Sequence, residues 1–284
     1  MTARGAKADV AYLGPEGTFT EEAARKHFGR AASLAPLASI DQVFRAVEQG
    51  AARSGVVPVE NSTEGQVGRT LDQLVKTELV IGAEVTLRIR QHLLRITPSP
   101  EGAELIYSHA QSLAQCCGFL ERNLPGVPRV EVVSNAEAAR RAAGDPRALA
   151  IAGAAAAERY GLHLLARGIE DDPHNTTRFL VLGKEPARAT GRDKTSLVMS
   201  TKNGPGAMVA LLRPLSRNGV SMTKLESRPS REGLWDYVFF ADLEGHADEP
   251  RVRRALLELG RRASFLKVLG SYPAAAPEES TVEA

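Results

Sequence analysis

The 284-residue chain has only two cysteines, one tryptophan and 5% aromatic side chains. The cysteines are neighbours, Cys116 and Cys117. A disulfide between adjacent residues is strained, so no bridge is expected, and both read as small apolar side chains on a helix. Six histidines are scattered along the chain. There is no HxxxH, CxxC or acidic calcium loop, which leaves a metal site without support. The nucleotide signatures GxGxxG and GxxxxGK[ST] are missing too, so nothing in the motifs points to a bound cofactor. Surplus charge is almost nil: 36 lysines and arginines against 34 acids leave +2, no footprint for nucleic acid or an anionic membrane. The longest apolar stretches, such as Ala148–Ala157, are alanine-rich and far shorter than the roughly 20 residues that span a bilayer. The opening MTARGAKADVAYLG lacks the apolar core of a secretion signal. These absences leave a cytoplasmic enzyme or sensor as the expectation.

A hydrophobic content of 43% with 25% charged residues is that of an ordinary globular protein. At about 150 residues per domain, the length allows two units, or one large unit with an appendage. Apolar runs at Val10–Leu13, Gly55–Val59, Val80–Leu87, Glu104–Tyr107, Val130–Val133, Leu149–Ala152 and Phe179–Leu182 read as strands. Between them, Glu21–Phe28, Asp41–Gln49, Gln66–Val75, Gln111–Arg122 and Ala136–Ala143 carry helical periodicity. This alternation predicts an α/β fold with a mainly parallel sheet and helices on both faces. Glu185–Asp193, with proline, glycine, charge and no period, reads as a linker. After it the order is strand (Lys194–Ser200), helix (Ala207–Arg217), two strands (Ser221–Arg228, Trp235–Leu243), helix (Glu249–Gly260) and strand (Ser264–Tyr272). That βαββαβ order predicts a ferredoxin-like module. The first six residues and the stretch from 274 onward have the composition of tails.

Three strand-to-helix turns concentrate small polar side chains: Gly14-Pro-Glu-Gly-Thr18, Glu60-Asn-Ser-Thr-Glu-Gly65 and Ser108-His-Ala-Gln-Ser112. In an open α/β sheet such turns crowd the carboxyl ends of the strands, where ligands bind. Helix N-termini there suit a carboxylate or phosphate. Serine, threonine and asparagine also cap helices with no ligand present, as Thr18 and Glu21 are spaced to do. A fourth segment, Asp171-Asp-Pro-His-Asn-Thr-Thr-Arg-Phe179, loads a strand entry with hydroxyls, an amide and an arginine. Turn chemistry and function both account for it.

On these residues the sequence resembles the prephenate dehydratases, which convert prephenate to phenylpyruvate in phenylalanine biosynthesis. The matching stretches are YLGPEGTFTEEAA (12–24), VPVENSTEGQVGRTLDQL (57–74), YSHAQSLAQC (107–116), NTTRFLVL (175–182) and MTKLESRPSREGLWDYVFFADLEGH (222–246). They run nearly the whole chain, and the NxTRF and ESRP motifs are the most specific. The resemblance implies a type II periplasmic-binding-protein-like catalytic domain (7–185) of two lobes, the second about 84–165. A linker (186–193), an ACT regulatory domain (194–273) and a tail (274–284) follow. It implies Thr177, Asn61, Gln111 and Glu60 as catalytic residues. Thr18, Ser62, Thr63, Gly65, Ser108, Arg178 and Phe179 would lie around the substrate, with Arg178 either addressing a carboxylate or bracing the loop. No cofactor or metal is implied, and a homodimer or homotetramer is.

A phenylalanine pocket at a subunit interface is implied at Gly206, Ala207, Met208 and Val209 together with Glu226, Ser227, Arg228 and Pro229. Three departures stand out. Ser221 replaces an asparagine that helps bind the amino acid, Met208 replaces a leucine, and Ala110 stands where proline is common. The first implies weaker inhibition. Coupling from that pocket to the cleft is expected to run through the Glu185–Asp193 linker. The nearest alternatives are an arogenate dehydratase and a non-enzymatic amino-acid sensor. No long helical pattern precedes Val10, so a fused chorismate mutase is not expected.

Overall fold

The alternating pattern folds into three sheets. The computed structural model describes residues 8–230 and 237–275. The tails at residues 1–6 and from 276 onward, and the start of the strand expected at Trp235, lie outside them. The first lobe is built from β1 (Ala8–Leu13), α1 (Phe19–Phe28), β2 (Leu34–Leu37), α2 (Ile40–Glu48), β3 (Ala52–Asn61), β4 (Gly65–Gln66), α3 (Gly68–Lys76) and β5 (Val80–Arg88). The chain then crosses into a second lobe. There it forms β6 (His92–Arg95), β7 (Leu105–Ser108), α4 (Ala110–Gln115), α5 (Cys117–Asn123), β8 (Arg129–Glu131), α6 (Asn135–Gly144), β9 (Ala148–Ala152), α7 (Ala154–Tyr160) and β10 (His163–Ala166). It returns as β11 (Thr176–Gly183), which enters the first sheet between β3 and β5, antiparallel to both.

The first sheet has the order β2-β1-β3-β11-β5 and the second β10-β6-β9-β7-β8. Two crossings joining two sheets make the expected two-lobed cleft fold. β5 pairs with β11 along its length as far as Arg88, so the second lobe's sheet opens at His92 rather than near residue 84. The alanine-rich run is core: β9 is wholly buried, and Ala136, Ala138, Ala139 and Ala142 of α6 lie against it. β2 was not legible because Pro36 interrupts a four-residue run, a placement an edge strand tolerates. The helix expected over Gln111–Arg122 breaks at Cys116 (φ −116°). There Asp171 of the returning crossover takes both sides of the break. Its N–H donates to the Gln115 carbonyl (2.7 Å), and its Oδ2 accepts from the Gly118 N–H (3.0 Å).

The C-terminal module is β12 (Asp193–Ser200), α8 (Ala207–Arg217), β13 (Met222–Pro229), β14 (Tyr237–Glu244), α9 (Pro250–Gly260) and β15 (Phe265–Pro273). The antiparallel order β13-β14-β12-β15 is the ferredoxin-like arrangement that βαββαβ predicts.

This module shares a core with the first lobe. Leu71, Leu74, Ile81, Leu180 and Leu182 pack with Val198, Phe240, Leu269 and Tyr272 in one buried cluster. Gly270 lies so close to the Ile81 backbone that a Cβ would stand 2.8 Å from the Ile81 nitrogen and overlap its carbonyl. Lys267 donates to the Leu74 and Val75 carbonyls (3.1 Å each) and to Thr77 O, covering the C-terminus of α3. Segment 184–192 has no regular element but is a minor part of the connection. Coupling between module and lobe therefore has a packed interface to run through, not the linker alone. Gly270→Ala is expected to lower stability by about 1–3 kcal/mol through overpacking, read as a fall in the thermal midpoint of the full chain.

Candidate active site

A cleft of about 880 Å³ opens between the lobes. It lies where the sequence places the polar turns, at the carboxyl ends of β1, β3 and β7 and the start of β11. From the first lobe it is lined by Thr18, Asn61, Thr177 and Phe179, and from the second by Gln111, Ser112, Ser134 and Asn135. Thr18 caps α1: its Oγ1 accepts from Glu21 N (3.4 Å) and donates to Leu13 O (3.2 Å). The reciprocal Glu21 bond goes to Gly17 N (2.8 Å) rather than to Thr18 N.

At the centre stands the Asn61 amide, fixed at both ends. Its Oδ1 accepts from the Thr63 and Glu64 N–H groups (3.0 and 3.1 Å). Its Nδ2 donates to Asn175 Oδ1 and to Thr177 Oγ1, both at 2.8 Å. Thr177 thus accepts from Asn61, while its own hydrogen has no acceptor among the described residues. Asn61 and Thr177 are cross-strand partners on β3 and β11, so the sheet register itself brings them together. Side chains alternate along a strand, and Phe179 accordingly shares the cleft face with Thr177. Thr176 turns away, donating to His174 O (2.9 Å).

Four further amides stand in or behind the lining and were not among the expected site residues. Asn175, 1% exposed, relays the Asn61 bond to Gln115 Oε1 (2.9 Å). The Gln115 Nε2 group lies buried in the lining with no protein acceptor. Across the cleft, Asn135 Nδ2 and Gln91 Nε2 both donate to Ser112 Oγ (2.8 and 3.0 Å). The amide next to Thr-Arg-Phe was legible as part of the motif. Gln91 and Asn135 carry no local signal, because they meet only when the second lobe folds and brings both to Ser112.

Among the described residues no lysine or arginine lines the cleft. Attraction for an anion comes instead from N–H groups and from the starts of α1 and α6, capped by Thr18 and Ser134. The rim is bridged where Phe19 rests on Gly153 and Tyr160 donates to Glu16 O (3.3 Å). Among the described residues no cluster of histidine, cysteine and acids is spaced to hold a metal, and no helix is long and apolar enough to cross a membrane.

Residues 10–187 match the family model for prephenate dehydratase, and residues 195–261 match that for the ACT domain. The chain belongs to the prephenate dehydratase family. A bifunctional chorismate mutase/prephenate dehydratase of Neisseria gonorrhoeae is 54% identical over 269 residues, 94% of this chain and 74% of that protein. A prephenate dehydratase of Arthrobacter aurescens, solved in complex with L-Phe, superposes with a TM-score of 0.86 at 34% identity, covering 94% of this chain and 90% of that one. A structure described as GqqA, a novel type of quorum quenching acylase, gives a TM-score of 0.85 at 32% identity, over 94% and 98% of the two chains. The reaction of the chain is therefore the loss of carbon dioxide and water from prephenate to give phenylpyruvate, a hydro-lyase chemistry.

The dehydratase cleft does not gather every residue expected of it. Glu60 and Arg178 point through the sheet to the other face, as alternation next to Asn61 and Thr177 requires. Glu60 accepts from Gln66 Nε2 (2.7 Å) and Lys224 Nζ (2.6 Å). Arg178 is paired to Asp242 (2.6 Å) and Glu84 (2.6 Å) and donates to the Tyr272 hydroxyl (2.9 Å), so its fork braces the C-terminal module. Burial opposes the Arg178 charge, but Tyr272, Asp242 and Glu84 around it hold its pKa above the usual value. Burial likewise works against the Asp242 carboxylate, which Arg178 and the Ser196 hydroxyl keep below the usual range.

Ser62, Thr63 and Gly65 are exposed beside the cleft and act on Asn61 and β11. Ser62 N donates to Thr176 O (2.8 Å), and Gly65 pairs with Asn61. Ser108 is buried beneath the lining, donating to Asn135 Oδ1 and Ile151 O (3.1 Å each).

His92 sits at the outgoing crossover, where its Nδ1 accepts from Gly168 N (3.1 Å) on the returning one. Burial holds this imidazole below the usual 6.5. As pH falls through 6.5 the unfolded chain takes up a proton that the folded chain refuses, so stability declines between 6.5 and the folded value. The urea midpoint is expected to drop between pH 7.5 and 5.5, and the drop to shrink in His92→Asn.

Proposed function

We propose that Thr177 is the group that assists departure of the ring hydroxyl of prephenate. The observation that carries this reading is the Asn61–Thr177 hydrogen bond at 2.8 Å. It fills an acceptor position of the hydroxyl and leaves its hydrogen for an oxygen in the cleft. In the reaction the bond from the ring to its carboxylate breaks to release carbon dioxide, and its electron pair completes the aromatic ring. The ring C–O bond breaks, and the departing hydroxide takes a proton to become water. A threonine hydroxyl is a weak acid, so its contribution is a hydrogen bond to the leaving oxygen with the proton replenished through a relay. Such assistance is worth roughly 10²–10⁴-fold.

Gln111 and Gln115, on a frame built by Thr18, Ser112 and Asn135, form the polar wall that receives the two carboxylates, and Phe179 faces the ring. A cleft without lysine or arginine is consistent with this chemistry. A strong cationic clamp on the carboxylate that leaves would stabilise the ground state against reaction. The lining also favours prephenate over arogenate: its carboxylate, Glu16, is ion-paired with Arg159, which leaves no unpaired acid among the described lining residues for arogenate's ammonium. Nor is any cleft hydroxyl hydrogen-bonded to a histidine among the described residues, as acyl transfer by a serine or threonine would require.

The C-terminal module is the seat of phenylalanine feedback in this reading. Gly206, at φ +73°, caps α8 in a conformation glycine adopts freely. It is followed by Ala207, half-buried Met208 and exposed Val209. The register carries Met199 to Phe239 and Phe239 to Ser227. The loop into Gly206 therefore leaves the sheet at the end where Glu226, Ser227, Arg228 and Pro229 lie. Ser221 precedes the opposite end of β13. One ligand touching both ends needs two copies of the chain, which supports a homodimer or homotetramer with phenylalanine at the interface, in a cytoplasmic enzyme. The L-Phe complex of the Arthrobacter relative supports the choice of effector.

Thr177→Ala is expected to fold normally and to lose phenylpyruvate formation by roughly 10²–10⁴-fold, while Thr176→Ala stays near wild type; near-normal activity of the first would overturn the assignment. Ser221→Asn is expected to tighten phenylalanine binding in calorimetric titration by about 0.5–1.5 kcal/mol, the worth of one hydrogen bond.

A further inference from the structure

We infer that Lys224, Asp242 and Tyr272 of the C-terminal module are positioning residues for the dehydration itself. They would act on Thr177 and Asn61 from behind the sheet, an inference that rests on the catalytic reading of that pair. Two adjacent rungs carry it. On the front face Thr177 stands opposite Asn61, and on the back face Arg178 stands opposite Glu60. Every back-face charge is held by the C-terminal sheet. Arg178 pairs with Asp242 at 2.6 Å and donates to Tyr272 at 2.9 Å, and Lys224 donates to Glu60 at 2.6 Å. Asp242 is itself fixed by Ser196 Oγ at 2.5 Å, which also lies 2.6 Å from the Tyr272 hydroxyl. Lys194 closes the cluster on Glu84, the other partner of Arg178, at 2.8 Å.

The cluster is balanced in charge: Arg178, Lys194 and Lys224 face Glu60, Glu84 and Asp242. Its centre is dry, with the side chains of Glu84 and Asp242 only 3% and 9% exposed, while the Lys224–Glu60 pair at its edge is 18% and 33% exposed. Ion pairs at the centre are little screened by solvent and hold their geometry tightly. The rungs need such holding. The pairing of β11 with β3 shifts register between Arg178 and Phe179, and bulges of this kind re-aim neighbouring side chains. An arginine pinned beside Thr177 and a glutamate pinned beside Asn61 set the angle at which that hydroxyl meets substrate. A misplacement of about 1 Å can cost on the order of 10²-fold in rate.

The same strand places this control next to the regulatory motif. Lys224 lies on β13 just before Glu226–Pro229, and Arg228 bonds Asp72 of α3 at 3.0 Å, its Nη1 only 2.7 Å from where a Cβ on Gly68 would stand. A shift of β13 on binding at that motif would move Lys224 and Glu60, and with them Asn61.

The test uses the full chain without phenylalanine, comparing thermal midpoint, kcat and KM for Asp242→Asn, Lys224→Met, Lys224→Arg, Tyr272→Phe and Lys267→Met. Lys267 belongs to the same interface but touches α3 away from the catalytic rungs, so it reports the cost of weakened docking alone. Asp242→Asn and Lys224→Met are expected to lower kcat by about tenfold or more, with KM within about twofold. Lys224→Arg is expected to restore most of that loss. Tyr272→Phe, which keeps the buried ring and removes one hydroxyl, is expected to lower kcat in the same direction and keeps the test decisive if Asp242→Asn does not fold. Lys267→Met is expected to keep its kcat despite a lowered thermal midpoint. Wild-type kcat in Lys224→Met and Tyr272→Phe would overturn the inference, as would losses of kcat that follow the thermal midpoint across all variants. Should Thr177→Ala itself remain active, it is the catalytic reading that fails; an inactive Thr177→Ala beside unaffected back-face variants removes only the positioning role.

Discussion

A buried guanidinium cannot shed its proton, so Arg178 must find anions wherever the fold places it. It is placed behind Thr177, where β5 supplies Glu84 and the C-terminal sheet supplies Asp242 and the Tyr272 hydroxyl. Leaving such a charge unpaired would cost several kcal/mol. The C-terminal module is in this sense part of the wall that carries the active site, and the large apolar core it shares with the first lobe follows from the same contact. A regulatory unit tied only by a linker would leave Arg178 facing water and the catalytic strand held from one side.

The cleft shows the complementary economy. Its substrate carries two carboxylates, yet among the described residues no cationic side chain reaches the lining. Amides of Gln111 and Gln115, the Thr177 hydroxyl and helix starts supply the positive ends of dipoles instead, on a frame that Asn61, Asn135 and Thr18 hold by bonds to protein acceptors. They are already oriented by one another, so little reorganisation is asked of them when charge moves in the transition state. The driving force, aromatisation of the ring, belongs to the substrate. What the protein adds is placement, and the chain of amides from Gln115 through Asn175 and Asn61 to Thr177 provides it while tying the two lobes together at the crossover.

Much of this was legible in the order of residues. Hydrophobic period and turn chemistry locate the sheets, the ferredoxin-like module and the three polar turns, because these signals are local. Thr177, Asn61 and Thr18 are found where their motifs put them, at strand ends facing one cleft. Other features escaped for identifiable reasons. β2 is a short edge strand broken by Pro36. The long helix over Gln111–Arg122 is interrupted by a bond from Asp171, distant in sequence. Gln91 and Asn135, distant in sequence, act only by meeting at Ser112 when the second lobe folds. Glu60 and Arg178 stand next to the cleft residues Asn61 and Thr177 in sequence but on the other side of the sheet in space.

By itself the sequence determined the α/β class, the two-part organisation, the family and the residues that carry its motifs, since each depends on short-range pattern. The tertiary structure alone decided which side of β3 and β11 each motif residue serves. A strand alternates its side chains, and only the sheet's packing says which face meets substrate and which meets the C-terminal module. One residue's step along β11 separates the hydroxyl that faces the cleft from the arginine that anchors the C-terminal sheet.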